Sequence, residues 1–531
     1  MTTTTTTTAA AREAQLCFQA NRSALAQTQP DLDPPKPSTR LEYVYARDGS
    51  VTAIDPTGHF LADCSLPRRA AAELLRKMTP PVGTSCFLAP THAAQIQVAL
   101  DTADPRAIVV ILPDALALDP ILHCHDFSTP IVAHRLWFVV APDWPSQLLT
   151  LFRLHPGLPL PQNFLKTADL SDDASSTLMP TAQRIFSQLT QDRTQLRTQI
   201  LCQEHTPTRT FCVLAPSRFR LWDDPGSILA DLLCTERIRR IDPDDPCSAG
   251  TLALALATRD CKALVTANAT RAELADGVPP HVPIFSWLTL PAIPSFSKAM
   301  PHDALLLADA AWLPLARKLG WPANRLTPAG WPTVRLPDPP SDPHLAIIAD
   351  TTDLATPPTF DLSSHRLLWD TIADELGASP FLAAPDPDRY LTTRMTRLAI
   401  SDDSLDRRRF IDQLIRPIYA QSLARMLIGV SIPVRLHGRG WSHLADFSRH
   451  FANEIHSRAA LVSAASSATA LVHISPTPWS HPIHSLCRPV LTPHQSPTTF
   501  LANAARILSN PPPYTAPPNP LCLAHFLIPD R

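Results

Sequence analysis

The stretch from Ile432 to Gln495 limits the fold more than any other, because it alternates strand-like and helical patterns within a short length. An apolar run ends in HGRGW, with a Gly-x-Gly turn at Gly438–Gly440, and a helical pattern follows over Leu444–Arg458. Two further apolar runs, Ala470–Ile474 and Pro489–Thr492, are predicted strands. A strand, a crossover and a second strand imply a parallel sheet. Ligands of open parallel sheets lie beyond the carboxyl ends of the strands, where the Gly-x-Gly turn would be.

Two earlier parts of the chain repeat this alternation of apolar runs and helical patterns. The first predicts an N-terminal accessory α/β module over residues 41–190, with Rossmann-like spacing. Its predicted strands are Ser85–Pro90, Ala107–Asp114 and Arg135–Pro142. The second predicts another α/β module over residues 205–335. Its predicted strands are Phe211–Ser217, Ala263–Asn268, Pro283–Thr289 and Asp303–Asp309.

Proline-rich and polar segments mark the boundaries between these parts. Trp331–His344 is the predicted linker to a third module over residues 344–510. Residues 1–40, which include a threonine tract, are predicted to be a disordered tail, and residues 511–531 a proline-rich tail. We therefore expect three Rossmann-like modules, with a cleft between the second and the third.

Several short motifs in the second and third modules resemble those of GT-B glycosyltransferases. In the third module they are the strand that leads into GRGW, the VHIS strand at Val472–Ser475 and the segment CRPVLT at Cys487–Thr492. In the second module they are Val-Pro-x-x-x-Trp at Val282–Trp287 and Asp-x-x-x-x-Ala-Asp at Asp303–Asp309. The chain thus resembles the group 1 enzymes, especially the spore maturation (CgeB-like) type. The resemblance implies a GT-B-like pair of Rossmann-like domains, preceded here by the additional N-terminal module.

The resemblance also implies a reaction. Family members transfer a sugar from a nucleotide-activated donor, here to a cell-surface glycan or protein, and they need no metal ion or further cofactor. Positioning and stabilisation of the departing diphosphate by N–H groups and cations supply the catalysis. In the family a glutamate before the last strand holds the donor ribose, whereas the corresponding stretch His481–Leu491 contains neither a carboxylate nor a glycine. A catalytically degenerate binding or scaffold protein is therefore the alternative prediction.

The candidate donor-binding residues lie in the third module. The backbone N–H groups at Gly438, Arg439 and Gly440 are predicted to hold the diphosphate, because glycine lets a ligand approach the backbone closely. Arg488 would supply a positive charge, and His484 a hydrogen bond. The alternatives are a tight turn after a strand, a surface arginine and an ordinary loop histidine.

The second module supplies the candidates for the acceptor side. Ser217, Arg218 and Asp309 are placed at the ends of predicted strands, facing the expected cleft. Of these, Arg218 has the charge to bind an acceptor or donor phosphate.

The first turn of the N-terminal module argues against a nucleotide there. The sequence APTHAAQ, Ala89–Gln95, contains none of the glycines that bring the backbone close to a pyrophosphate. We therefore expect this module to bind neither a dinucleotide nor a methyl donor.

Two polar clusters are predicted to have structural roles. HCHD, His123–Asp126, would not place both histidines on one helix face, and it lacks a second set of ligands. PDDPCSAG, Pro243–Gly250, has carboxylates beside a cysteine, but it is typical of a turn and helix cap. No metal site is predicted.

Composition limits the classes of partner and the cellular compartment that we expect for the protein. The net charge is -2 and no basic tract occurs, so we expect no nucleic-acid partner. No run of about 18 apolar residues occurs, so we expect no membrane span. The 11 cysteines form no CxxC pair and are predicted to be reduced thiols of a cytoplasmic protein.

Overall fold

The computed structural model of the chain describes residues 3–32, 40–61, 64–76, 84–90, 92–102, 106–161, 163–166, 172–202, 210–216, 238–248, 250–274, 277–289, 293–329, 336–337, 342–354, 360, 362–379, 387–401, 405, 407–472, 486, 488–491 and 497–510. The chain divides into two compact units. The first comprises Met1–Cys212, Ile241–Ala263 and Leu274–Val282, and the second Val213–Arg240, Leu264–Glu273 and Pro283–Arg531. The predicted α/β class, with several Rossmann-like parallel sheets flanked by helices, is confirmed.

The elements up to residue 202 form a hairpin, the first parallel sheet and the helices around it. In chain order they are α1 (Thr3–Thr28), β1 (Glu42–Tyr45), β2 (Val51–Ile54), α2 (Pro67–Arg76), β3 (Thr84–Leu88), α3 (Ala93–Thr102), β4 (Ala107–Leu112), α4 (Leu118–Cys124), α5 (Ser128–Val132), β5 (Leu136–Val140), α6 (Trp144–Leu154), β6 (Asn163–Lys166) and α7 (Asp172–Cys202). The sheet order is β5-β4-β3-β6, and every pair is parallel. Counted within the sheet, this is the 3-2-1-4 order of a Rossmann fold.

Helix α1 lies where the sequence predicted a disordered tail over residues 1–40, so that prediction is wrong for most of the stretch. The residues that α1 buries recur at helical spacing: Ala14, Phe18, Asn21 and Leu25. Asn21 donates hydrogen bonds to the carbonyls of Leu122 and His125 and accepts one from the N–H of Phe127. The prediction of disorder followed the threonine tract and missed this buried stripe, which lies after the tract.

The second sheet follows in the chain. Its elements are β7 (Phe211–Leu214), β8 (Ile238–Ile241), α8 (Thr251–Thr258), β9 (Ala263–Ala267), α9 (Arg271–Leu274), β10 (Ile284–Leu288), β11 (Ala304–Leu307), α10 (Leu313–Lys318) and β12 (Leu326–Pro328). The strand order is β12-β11-β10-β9-β7-β8, and the pairs from β9 to β12 are parallel. All four predicted strands of this module are formed, and each is buried along most of its length.

The third sheet occupies the rest of the second unit. Its elements are β13 (Leu345–Ile348), α11 (Ser363–Ala378), α12 (Pro387–Arg397), α13 (Arg407–Phe410), α14 (Arg416–Gly429), β14 (Val434–His437), β15 (Phe451–Asn453), α15 (Arg458–Ser466), β16 (Ala470–Val472), β17 (Val490–Leu491) and α16 (Pro497–Ser509). A single π-helical turn, Ile411–Ile415, joins α13 to α14. The order β15-β14-β13-β16-β17 is parallel throughout and corresponds to 3-2-1-4-5.

One predicted helix of this module is absent from the structure. Over Leu444–Arg458 the chain forms β15, preceded by a short 3₁₀ turn at Trp441–His443. Leu436 of β14 pairs with Phe451 of β15, so a neighbouring strand decides the conformation. A strand of three residues is too short to produce an alternating pattern.

The apolar runs became strands because both faces of these sheets are covered. All six residues of β4 and all four of β13 are buried. Continuous apolar runs, rather than alternating ones, are typical of strands in such parallel sheets. At the predicted linker, Trp331–His344, only residues 336–337 and 342–344 belong to the described part of the chain, and Leu336 is buried against the third sheet.

Two further observations concern the cysteines and the possibility of a membrane span. Cys212 of β7 and Cys261, next to β9, form a disulfide bond, so the prediction of reduced thiols is wrong for this pair. They are 49 residues apart in sequence, and the sheet order brings them together. In the described part of the chain, no helix combines the length and apolar character that a membrane crossing requires.

Candidate functional site

The carboxyl edge of the third sheet is the candidate site. In a sheet of 3-2-1-4 order the chain reverses direction between strands 1 and 4, and ligands bind in the crevice at that point. Here strand 1 is β13, which is followed by Ala349–Thr352, and strand 4 is β16. The Gly438–Gly440 turn follows β14, the neighbour of β13, as the sequence predicted.

Both glycines of this turn are required by protein packing. Gly438 has φ 121° and Gly440 has φ 87°, a region that other residues rarely adopt. A Cβ atom at Gly438 would collide with the carbonyl oxygen of Ala349, and one at Gly440 with the carbonyl oxygen of Thr351. The turn therefore lies directly against the backbone that follows β13.

Hydrogen bonds within the protein already use part of the turn. The N–H of Gly438 donates to the carbonyl of Asn453 (3.0 Å), and the N–H of Arg439 donates to Asp350 Oδ1 (2.8 Å). The carbonyl of Arg439 accepts from the N–H of Thr351 (2.9 Å). These two N–H groups are therefore engaged, and the predicted cradle of free donors at Gly438 and Arg439 is corrected by the structure.

The buried side chain of Trp441 holds the Gly438–Gly440 turn in place. Its side chain is fully buried, and Nε1 donates to the carbonyl of Ala349 at 2.6 Å. Its ring meets Phe447 edge to face, with ring centroids 5.1 Å apart. Backbone and side-chain hydrogen bonds together thus join the ends of β13 and β14.

Charged side chains converge at this edge. Arg439 Nε lies 3.6 Å from Asp350 Oδ2, with 52% of the arginine side chain and 23% of the aspartate side chain exposed. Burial raises the pKa of Asp350, Glu454 acts in the same direction, and the N–H and guanidinium of Arg439 oppose them. His456 Nε2 lies 2.9 Å from Glu454 Oε2. The edge therefore offers an accessible guanidinium, a carboxyl that takes up a proton more readily than usual, and an imidazole.

His437 lies beneath this cluster as the last residue of β14. It is buried, and its Nδ1 is hydrogen-bonded to Asn453 Oδ1. Burial lowers its pKa, so the neutral ring is favoured. Its buried Nε2 has no hydrogen-bond partner among the described residues.

The structure does not bring Arg488 to this turn, so its predicted place beside the turn is wrong. Arg488 precedes β17 and therefore lies at the amino end of that strand, away from the carboxyl edge. It is 6% exposed, and its guanidinium donates to the carbonyls of Ala465 and Ser466 at the end of α15. A buried arginine at a helix C-terminus stabilises the last carbonyls.

The other predicted residues are placed as follows. Asp309 follows β11 at its carboxyl end, where its Oδ1 accepts from the N–H of Ala311 (2.8 Å) and caps a 3₁₀ turn. Ser217, Arg218 and His484 lie outside the described residues. Sequence reasoning missed Asp350, Glu454 and His456. Asp350 follows the apolar strand β13, which could have marked it, whereas Glu454 and His456 follow β15, a stretch predicted as helix.

A cavity of about 460 Å³ opens at the opposite, amino edge of this sheet. Residues before β13 and β14 line it, including His344 and Pro433. Since ligands of open parallel sheets bind at the carboxyl edge, we do not place the candidate site there.

In the first sheet, a side chain lies at the turn after strand 1, β3. After β3, Ala89 takes φ 46°, and the buried His92 accepts a hydrogen bond from the N–H of Ala94 at Nδ1 (3.1 Å). Burial lowers the pKa of His92 to about 4, and the Asp48 carboxylate offsets part of that effect. The His92 ring thus lies at the start of α3, where a Rossmann fold holds its pyrophosphate.

Comparisons with known proteins found little. No protein-family model matches the chain, and no curated protein matches its sequence. Among solved structures, the MAf glycosyltransferase from Magnetospirillum magneticum AMB-1 matches with a TM-score of 0.25 and 14% identity, over 58% of this chain and 55% of that chain. The chain therefore spans about half the length of that enzyme, and a likeness of this size establishes neither a shared fold nor a shared activity.

Proposed function

We propose that this protein is a glycosyltransferase that binds a nucleotide-activated sugar at the carboxyl edge of the third sheet. The observation that supports the proposal is the convergence of Asp350, Arg439, Glu454 and His456 at the carboxyl ends of strands 1, 2 and 3, beside the point where the 3-2-1-4-5 sheet reverses direction. Fixed cations and hydrogen-bond donors at such an edge suit an anionic diphosphate.

Arg439 is the residue proposed to hold the diphosphate. Its backbone is fixed on both sides by Asp350 and Thr351, whereas half of its side chain is exposed. A fixed positive charge that meets the leaving diphosphate would favour departure from the sugar. The Asp350 carboxyl would keep the guanidinium in place and accept a hydrogen bond from the ligand.

The acceptor remains a cell-surface glycan or protein in this proposal. Its candidate contacts are Ser217, Arg218 and Asp309, which follow strands of the second sheet. A cytoplasmic location and the absence of a further cofactor belong to the proposal as well.

The matched pair Arg439→Ala and Arg435→Ala tests the donor site. Both arginines belong to the same segment and face an aspartate, but Arg435 contacts Asp342 (3.0 Å) at the amino edge. Loss of a charged hydrogen bond should weaken binding of the best donor in a panel of nucleotide sugars about 10-fold or more in Arg439→Ala. Arg435→Ala should change the Kd less than about 2-fold. Calorimetry measures both, and equal Kd values for the two variants would remove Arg439 from the site.

A catalytically degenerate binding or scaffold protein is the second candidate. It is favoured by the engaged N–H groups of Gly438 and Arg439 and by the absence of a carboxylate in His481–Leu491. Incubation with each donor together with a mixture of cell-surface glycans and proteins as acceptor, followed by chromatography of the released nucleotide, separates the two. Donor binding without release, or no binding at all, favours the second candidate.

A further inference from the structure

Three side chains with different donor atoms meet in the first unit: Asp245 and Cys247 belong to one turn, and His134 is 111 residues from Asp245 in sequence. The imidazole of His134, the carboxylate of Asp245 and the thiol of Cys247 place one ligand atom each within 4.8 Å of one another. All three are partly buried. Nitrogen, oxygen and sulfur donors in one cluster are the set from which proteins build zinc sites.

The distances suit a tetrahedral ion. His134 Nδ1 lies 3.3 Å from Asp245 Oδ1. Two ligand atoms at usual zinc bond lengths and tetrahedral angles are about 3.4 Å apart, and a sulfur and an oxygen about 3.6 Å apart. The other separations are at most 4.8 Å, so the Cys247 thiol has to approach by little more than about 1 Å to share one ion with the other two atoms.

The cluster is held in place by neighbouring contacts. His134 takes φ 56° before β5, and its carbonyl accepts a hydrogen bond from Trp137 Nε1 at 2.8 Å. Asp245 Oδ1 accepts from the N–H of Cys247 (3.0 Å), and its Oδ2 accepts from Ser248 Oγ (2.6 Å). One turn thus fixes two of the ligands. Such support of ligands by surrounding hydrogen bonds is typical of metal sites.

The charges of the cluster match a divalent cation. A thiolate, a carboxylate and a neutral imidazole together carry two negative charges, which Zn²⁺ would neutralise. The thiolate is the form of cysteine that binds metal, so a cation that binds here displaces the proton of the Cys247 thiol. His155 lies nearby, with its ring centroid 6.4 Å from that of His134.

We propose that His134, Asp245 and Cys247 bind Zn²⁺, with water at the fourth position. The sequence predicted no metal site, because Pro243–Gly250 was interpreted as a turn and helix cap; the turn exists and presents two of the ligands. Binding replaces the thiol proton by the metal, so the reaction is Cys–SH plus Zn²⁺ to Cys–S–Zn⁺ plus H⁺.

The test uses the full chain after treatment with a chelator, titrated with zinc chloride in a calorimeter. We expect about one Zn²⁺ per chain, with release of about one proton from the thiol, measured in buffers of different ionisation enthalpy. Cys247→Ser and His134→Ala should bind at least about 100-fold more weakly, since loss of a direct ligand exceeds the 10–100-fold effect of losing a supporting contact. Cys202→Ala, which removes an exposed cysteine, should bind as the unaltered protein does.

Co²⁺ supplies a second, spectroscopic readout. The unaltered chain and Cys202→Ala should show a thiolate-to-Co²⁺ charge-transfer band that Cys247→Ser lacks, with circular dichroism confirming that each variant is folded. Failure of the unaltered chain to bind Zn²⁺, or equal Zn²⁺ affinity in folded Cys247→Ser, would overturn the proposal. Neither result depends on the donor site, because the cluster and that site share no residue.

Discussion

The turn after β3 in the first sheet and the turn after β14 in the third close similar strand ends by different means. In the first sheet the side chain of His92 fills the end and accepts a backbone hydrogen bond. In the third sheet Gly438 and Gly440 let the neighbouring backbone fill it. Close packing between two strand ends can therefore be enough to require glycine in a turn of this kind, without any bound ligand.

The largest expected effect comes from adding one methyl group to the third-sheet turn. Gly438→Ala should lower the free energy of unfolding by about 4 kcal/mol, because a strained φ and a collision with the carbonyl of Ala349 add together. Gly49→Ala is the control: it has φ 80° but open space around it, so about 1 kcal/mol is expected. Urea unfolding followed by fluorescence measures both, and equal losses would contradict the packing role of the glycine.

Acid should weaken the first-sheet turn through protonation of His92. His92 has an ordinary pKa of 6.5 when unfolded and about 4 when folded, so the unfolded chain binds more protons between those values. Stability from the neutral ring is fully present above pH 6.5 and lost as the pH falls to 4, by roughly 3 kcal/mol.

His92→Asn keeps a hydrogen-bond acceptor but does not titrate, so it serves as the control for that pH dependence. Unfolding free energies of the two proteins should therefore be similar at pH 7 and diverge toward pH 4, where only the unaltered protein has lost stability. Parallel curves would show that His92 titrates normally.

Trp441→Phe should weaken the third-sheet turn without filling or opening much space. The carbonyl of Ala349 loses the indole N–H in a buried position, which should cost about 1.5 kcal/mol. Hydrogen exchange of residues 345–354 and 434–441 should speed up, while exchange around β3 stays unchanged. Faster exchange in both regions would indicate a general loss of stability.

The smallest expected effect is a gain, rather than a loss, of unfolding free energy, at Ala89 in the first sheet. Ala89 takes φ 46°, where glycine is favoured, so Ala89→Gly should raise the unfolding free energy by about 0.5 kcal/mol after the larger entropy of the unfolded glycine is subtracted. Thermal unfolding checks the sign. A lower midpoint would mean that packing of the Ala89 methyl outweighs the backbone strain.

The buried central strands of all three sheets were predictable, because apolar runs such as Ala107–Leu112 are continuous and bounded by turn residues. Short strands such as β8, β12 and β15 were not. The strand orders were not, since pairing depends on long-range contacts. The segment Leu444–Arg458 was misjudged for the same reason: Phe451 forms a strand because Leu436 lies beside it. Helix α1 was missed although Phe18 and Leu25 carry a helical period.

The candidate site was predictable only in part. The Gly-x-Gly turn was found from its glycines, but its engaged N–H groups follow from contact with Asp350 and Asn453, which local sequence does not encode. Arg488 was assigned to the wrong edge, because a residue that precedes a parallel strand lies at the amino end. Asp350 resembles any turn aspartate until β13 is known to be strand 1 of the sheet.

During synthesis of the chain, α1 is made well before the surface against which it packs. Asn21 and its partner Phe127 are separated by 106 residues, so the helix leaves the ribosome long before the surface that covers it. At about 5–20 residues per second, the wait is about 5–20 s. During that time Phe18 and Leu25 present an uncovered apolar stripe, to which a chaperone or another nascent chain has access.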